Sequence, residues 1–399
     1  MKLTPKLIIS LVITFFLSAS LAYAIVPTGG SLISPKSDTA TTKKSAGFSQ
    51  FAGEPSTEAC PLNGKLYTKS EKILWESRRP ILTMIENHVD ARPQSGLSYA
   101  DIVYEAVAEG GITRFMGVFY CGAQGDTAKV GPVRSARIYF VNLAAEYNNP
   151  IYMHVGGGNC SAEQVGGPCT SNKKALALEE LAKMGWRKAG GNDFDTISDI
   201  GYPVLFRDYN RLGDGKTLAT EHTMVGSLPA AWKAALKRGY TGTDDKGKTW
   251  FSGFKLWKIS SEGLVGQPAT DIKYEFWKNY ADFAVEWKFD QTTKEYLRNQ
   301  GGAPQIDLET SKQITTSNVI VQFTKEEGPL DDHKHMFYAV IGEGTGLFFS
   351  QGQATEIKWK KTKQTERTIF MDKSGKEISF TPGSIWISIL PIGNKVDYN

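Results

Sequence analysis

The densest run of chemistry-bearing residues is Gly131 to Arg137, GPVRSAR, in which two guanidiniums stand three positions apart. Because an apolar stretch of helical spacing follows, Arg134 and Arg137 are expected at a helix entry, one turn from each other. Unpaired backbone N–H groups and the positive end of the helix dipole favour an anion there. Arginine adds forked hydrogen bonding to carboxylate or phosphate. With Arg114, the pair forms the expected ligand-binding set for an anionic group. The competing reading is structural: Arg134 and Arg137 meet Glu105, Glu109 or Asp101 in an ion-pair network.

Glu105 and Glu109 are the candidate acid or base of an enzymatic site, since both follow an apolar run and Glu109 precedes Gly110-Gly111. The competing reading, and the favoured one, is a turn with solvated charges. His154 closes another apolar run ahead of Gly156-Gly157-Gly158, where α/β sheets place ligand-contacting groups. It is a candidate base or ligand donor, against a structural role at a strand end. Arg207 and His222, with Asp208 beside them, complete the candidate ligand-binding residues; ordinary surface loops carry such groups too. Asp331-Asp332-His333-Lys334-His335 has metal-binding residue types but not the spacing of hydrolytic zinc motifs, so a solvated loop is expected and no metal site. Tyr296, Arg298 and Asp307 read as hydrogen-bonded structural residues. There is no G-x-S-x-G, P-loop, H-E-x-x-H or dinucleotide fingerprint, and no cofactor is expected.

The elements that must hold these groups follow from periodicity. Ile81 to Ile85, Ile102 to Val107, Phe115 to Cys121 and Pro150 to Val155 read as strands. Ser135 to Tyr147 and Lys174 to Met184 read as helices, the second with Leu176, Leu178 and Leu181 along one side. Strands alternating with helices define an α/β N-terminal domain, residues 59–240. Beyond it, Phe283, Val285, Trp287 and Phe289 alternate with more polar neighbours, and Ser374-Gly375 and Pro382-Gly383 mark turns. Residues 241–399 are expected to form a mainly antiparallel β domain.

Lys2 and Lys6, the apolar run from Leu7 to Leu21 and Ala22-Tyr23-Ala24 make residues 1–26 a signal peptide, or an anchor helix if left uncut. Membrane contact is expected through this segment alone. Residues 27–58, rich in Gly, Pro, Ser, Thr and Lys, read as a disordered tether. Export places the chain in an oxidising compartment, where Cys60, Cys121, Cys160 and Cys169 suit two disulfides. Three pairings are possible. The short Gly/Pro-rich loop between Cys160 and Cys169 favours their union, leaving Cys60 with Cys121. The net charge of +4 includes five Lys and three acids within residues 1–58, so only +2 remains beyond them, too little for a nucleic-acid binder.

Long stretches carry a family resemblance: RPILTMIENHVDARPQSGLSYADIVYEAVAEGGITRF, VGPVRSARIYF, IYMHVGGG and TTKEYLRNQGGAPQIDLETSKQITTSNVIVQF. From about Arg79 to Pro391 the chain resembles the YerB-like family of bacterial envelope proteins, which has an N-terminal and a C-terminal conserved domain and no established biochemical function. The resemblance implies an extracytoplasmic protein. Many members are lipoproteins, and the absence of a cysteine after the apolar run departs from that pattern. It carries over no catalytic residues. The expectation is therefore an envelope protein binding an anionic wall polymer or peptide. The alternatives are a hydrolase or transferase acting on envelope glycan or phosphodiester material, and a partner of another envelope protein.

Overall fold

The computed structural model describes residues 53–123, 125–158, 172–244 and 246–399, all within one compact unit spanning residues 45–399. The expected signal or anchor segment, Cys160 and Cys169 lie outside the described residues. Composition placed Glu54 and Glu58 in a tether, yet both are held: the Glu54 carboxylate accepts from Ser70, and Glu58 pairs with Lys72 at 2.9 Å.

The four α-helices among the described residues are short. α1 (Lys69–Glu76) opens with a reciprocal capping box, Thr68 with Glu71, and α4 (Leu228–Lys237) is capped by Ser227. α2 is Ile138–Ala144 and α3 is Ala177–Lys183. The first half of the chain contributes strands β1 (Ile81–Glu86), β2 (Ile102–Glu109), β3 (Ile112–Phe119), β4 (Ile151–His154) and β5 (Asp193–Asp195). The second half contributes β6 (Asp271–Tyr274), β7 (Val285–Asp290), β8 (Glu295–Gln300), β9 (Asn318–Thr324), β10 (Gly342–Ser350), β11 (Gln353–Lys361) and β12 (Ile385–Pro391).

An α/β N-terminal part thus precedes a mainly antiparallel β C-terminal part. One 11-stranded sheet runs through both, its main path including β11-β10-β9-β12-β2-β3-β1-β4-β5. Its seam is parallel: β12 pairs with β9 on one side and with β2 on the other, Ile385 opposite Ile102 and Ser388 opposite Glu105. Covered on both faces, these strands are buried along nearly their whole length rather than alternately, and carry apolar runs such as Ile385-Trp386-Ile387. β6, β7 and β8 belong to a second, six-stranded sheet that packs Trp287 edge-on against Trp386.

Helix α2 begins at Ile138, later than its apolar pattern implied. Residues 131–136 are extended because their backbone is claimed by strands. Glu86 N–H donates to Pro132 O and Arg134 N–H to Met84 O; on the other side Val155 N–H donates to Arg134 O and Ala136 N–H to Gly156 O. The parallel neighbours β1 and β4 are in register to Thr83 and Met153, and this segment fills the gap where they part.

Cys60 and Cys121 form a disulfide, as expected, with Cα atoms 6.0 Å apart. The bridge closes 61 residues of sequence, which in the chain-entropy account stabilises by about 4 kcal/mol. Replacing both cysteines with serine should lower the urea midpoint, followed by Trp fluorescence, by an amount matching that figure. An unchanged midpoint would show that the buried loop around Asp101 holds itself together without the bridge.

Candidate functional site

The candidate groups collect at one end of the large sheet and are then divided by ion pairing. Glu86 and Arg114 are direct cross-strand partners, with Ala106 on the far side of Arg114, so Glu86 and Arg114 share a sheet face. Glu105 pairs in register with Phe115 and lies on the opposite face.

Glu109, at the end of β2, bonds both Arg114 (2.6 Å) and Arg137, and Arg114 also donates to Ser135 O. The two guanidiniums are almost wholly buried. Burial pushes the Glu109 carboxyl up, but Arg114 and Arg137 outweigh it and hold the pKa well below the carboxylate range. It is therefore a fixed anion and a poor proton donor at neutral pH. Arg134 departs from this group: its Nε lies 3.2 Å from Glu86 Oε1. The network anticipated among Arg134, Arg137, Glu105, Glu109 and Asp101 forms only as the Arg137–Glu109 pair. Asp101 instead accepts from the backbone N–H groups of Tyr120, Cys121 and Gly122. The helix-entry anion site is also corrected, because α2 has seven residues and Arg134 lies in the extended segment ahead of it.

Glu105 was expected near the end of its strand. It lies inside β2, fully buried, 2.8 Å from Arg298 Nη2, and it accepts from Trp386 Nε1 and Thr113. Burial raises its pKa, with Arg298 opposing. No solvent path serves it as an acid. His154 is fully buried, with Nε2 2.5 Å from Asp193 Oδ1 and Nδ1 2.7 Å from Gly156 O. Burial favours the neutral ring, yet Asp193 and Asp195 prevail and raise its pKa. Arg187 bridges the same two aspartates at 2.7 and 2.9 Å. Both His154 nitrogens are thus engaged, and no lone pair is left for a substrate. Arg207 donates to Thr220 O and Thr223 Oγ1 and staples its own loop.

His222 is the exception. Its Nδ1 lies 2.9 Å from Glu86 Oε2, and its ring stacks on His88 with centroids 5.1 Å apart. Glu86, Asn87 and His88 follow the apolar run Ile81 to Ile85, and that position was the available signal for a site there. In the loop 331–335, Asp331 binds His335 Nδ1 at 2.7 Å and caps two backbone N–H groups, so this side of the expected solvated loop is an internal clasp. The structural readings of the remaining three residues agree with their contacts. Tyr296 donates to Ala269 O, Arg298 joins Glu105, and Asp307 accepts from Gly96, Ser98 and Glu309 N–H.

Sequence reasoning missed a second region. Glu146, just past α2, binds buried Lys361 at 3.0 Å and Arg367 at 3.2 Å, while Arg367 stacks 3.6 Å over Trp257. This clamp floors an open groove of about 720 Å³. The rim comes from Asn148 and Asn149, the end of α3, residues 252–255 and the loop 362–369. Exposed amides and hydroxyls alternate there with half-buried Met184 and Phe254.

The class is now defined: an α/β part and a β part fused through a parallel seam, with most buried charges consumed in pairs. Residues 64–201 match the family described as "Protein of unknown function (DUF3048) N-terminal domain", and residues 272–387 match its "C-terminal domain". The chain belongs to this family. Its relatives include the "Putative lipoprotein YerB" of Bacillus subtilis (strain 168), 29% identical over 332 residues, 83% of this chain and 86% of that protein. The crystal structure of YerB from Bacillus subtilis matches with a TM-score of 0.65 at 27% identity, over 86% of this chain and 100% of that one.

Glu109→Gln leaves two buried guanidiniums sharing a neutral amide, which should cost about 3–5 kcal/mol at pH 7. Because the folded pKa lies below the ordinary 4.5, the carboxylate's stabilisation is complete above that value and is lost as the pH falls beneath it. Urea midpoints at pH 7 and pH 3 should therefore differ less in the variant than in the parent. Equal pH sensitivity in both would remove Glu109 from that role.

Proposed function

We propose that this chain is an exported envelope protein that binds, without turning over, a hydroxyl- and amide-rich ligand of the wall-polymer or peptide class. The groove above the Glu146 clamp is the observation that carries this reading. Its volume falls within the range of ligand sites, and its floor is fixed by buried contacts before any ligand arrives. Arginine capture of an anion loses support, because Arg114 and Arg137 already share Glu109 and Arg134 already has Glu86. A hydrolase built on Glu105 or Glu109 loses support for the same reason: one is enclosed and the other is clamped as an anion.

The extracytoplasmic placement rests on the N-terminal apolar segment and on the lipoprotein name of the Bacillus relative. Among the described residues no helix is long and apolar enough to cross a membrane. Attachment, where present, is assigned to the N-terminal segment.

The test is co-sedimentation of the intact chain with purified peptidoglycan, together with titration by soluble muropeptides. Thr365→Trp fills the groove from its exposed rim and should abolish binding. Gln364→Ala removes an amide whose Nε2 braces the wall on Asn142 and Glu180, and should weaken binding about tenfold. The muropeptide profile should be unchanged after incubation. Full binding by the Thr365→Trp chain would overturn the groove assignment, and new cleavage products would overturn the non-catalytic one.

A further inference from the structure

Two imidazoles and a carboxylate that line no part of the groove come together beyond the end of β1. His88 Nδ1 is 3.6 Å from Asp90 Oδ2, and the nearly parallel His88 and His222 rings meet at 15°. One donor atom from each of His88, Asp90 and His222 lies within 4.8 Å of the other two. His88 and Asp90 are open to solvent, whereas His222 is buried against Glu86.

The Glu86 contact gives this cluster direction. A carboxylate 2.9 Å from Nδ1 holds the ring proton on that nitrogen and leaves the Nε2 lone pair free. Metal-bound histidines are oriented in the same way, by a carboxylate or carbonyl on the nitrogen that does not ligate. Glu86 is itself steadied by Arg134 at 3.2 Å, so His222 is fixed before any ion arrives. His88 is the adjustable partner. It caps a three-residue turn, Val89–Ala91, by accepting from Asp90 N–H, and one third of its side chain is exposed.

We propose that His88, Asp90 and His222 bind one divalent transition-metal ion of the zinc class. Two imidazole nitrogens and one carboxylate oxygen would ligate it, with Glu86 orienting His222 from behind. Two nitrogen donors disfavour magnesium and calcium, which prefer all-oxygen sites. Donors around zinc stand about 3.4 Å apart, so the exposed His88 ring swings by roughly 1 Å and tilts out of its stack as it ligates. Solvent exposure on the Asp90 side leaves room for water in the remaining position. This goes against the sequence expectation of no metal, which weighed the cysteine spacing, the H-E-x-x-H pattern and the 331–335 loop but not His88 with His222. Among the described residues, that loop gathers no set of three donor atoms within reach of one another, whereas His88, Asp90 and His222 do.

The experiment is titration of the intact, untagged, chelator-stripped chain with Co²⁺, followed by its visible absorption, and then competition with Zn²⁺ in a calorimeter. One ion per chain is expected. His88→Ala and His222→Ala should each weaken binding at least tenfold, and Glu86→Gln should do so by about 10–100-fold. The His333→Ala/His335→Ala double variant should bind as the parent does. His88 is partly exposed on a loop, so its variant tests the ligand role even if His222→Ala fails to fold. No binding at millimolar metal, undiminished binding by His88→Ala, or loss confined to the His333/His335 variant would each overturn the assignment.

Discussion

A buried ion pair at the seam of the large sheet, Glu105 with Arg298, ties together the two halves of this molecule. Glu105 comes from β2 and Arg298 from β8, and the guanidinium lies among Trp386, Trp287 and Phe115, 4.4, 5.0 and 5.9 Å from their ring centres. Enclosing two opposite charges costs much of their attraction in desolvation. The seam limits that cost by saturating the carboxylate. Thr113, Trp386 and Arg298 all donate to Glu105, while Gln305 takes Arg298 Nε. The pair specifies register more than it adds stability: sliding β12 along β2 by one residue would turn Trp386 away from Glu105 and uncover the Arg298 guanidinium it packs over.

The same logic repeats along the chain. Glu109 serves two arginines, Asp193 holds His154 and shares Arg187 with Asp195, and Glu146 serves Lys361 and Arg367. Each cluster joins elements that β pairing alone would leave free to shift. Glu146 reaches from the turn after α2 to the end of β11, as Glu105 reaches from β2 to β8. Charges spent in this way are unavailable for catalysis, which is why the acids, arginines and histidines singled out in the sequence read there as an active site and in three dimensions as a scaffold.

Much of the fold was legible. The apolar runs placed β1, β2 and β4 within a residue or two, and the alternation of Val285, Trp287 and Phe289 marked β7 as a strand with one buried face. The entry to α2 was misjudged because helical periodicity carries no record of backbone hydrogen bonds to distant strands, and those bonds keep residues 131–136 extended. The candidate residues were largely the charged groups that matter, but their partners were not readable. Arg298 is 193 positions from Glu105, and His222 is 136 from Glu86. No local pattern encodes such distances. One usable clue was overlooked: Asp193-Phe194-Asp195 puts two carboxylates on one face of a strand beside an apolar core.

The groove has a consequence for how the family's two conserved segments should be understood. Its walls come from Asn148 and the end of α3 in the first matched segment and from residues 362–369 in the second. Residues 252–255, which also line it, and Trp257, which supports Arg367, belong to neither. A cavity assembled from three stretches, and floored by an ion-pair clamp spanning two of them, exists only when the whole unit is folded. The same holds for the sheet, whose central strand β12 has one neighbour from each half. Separating the segments would expose β12 along an edge and leave Glu146 without either cation. The matched pair is therefore better regarded as one folding unit with a shared groove than as two independent modules.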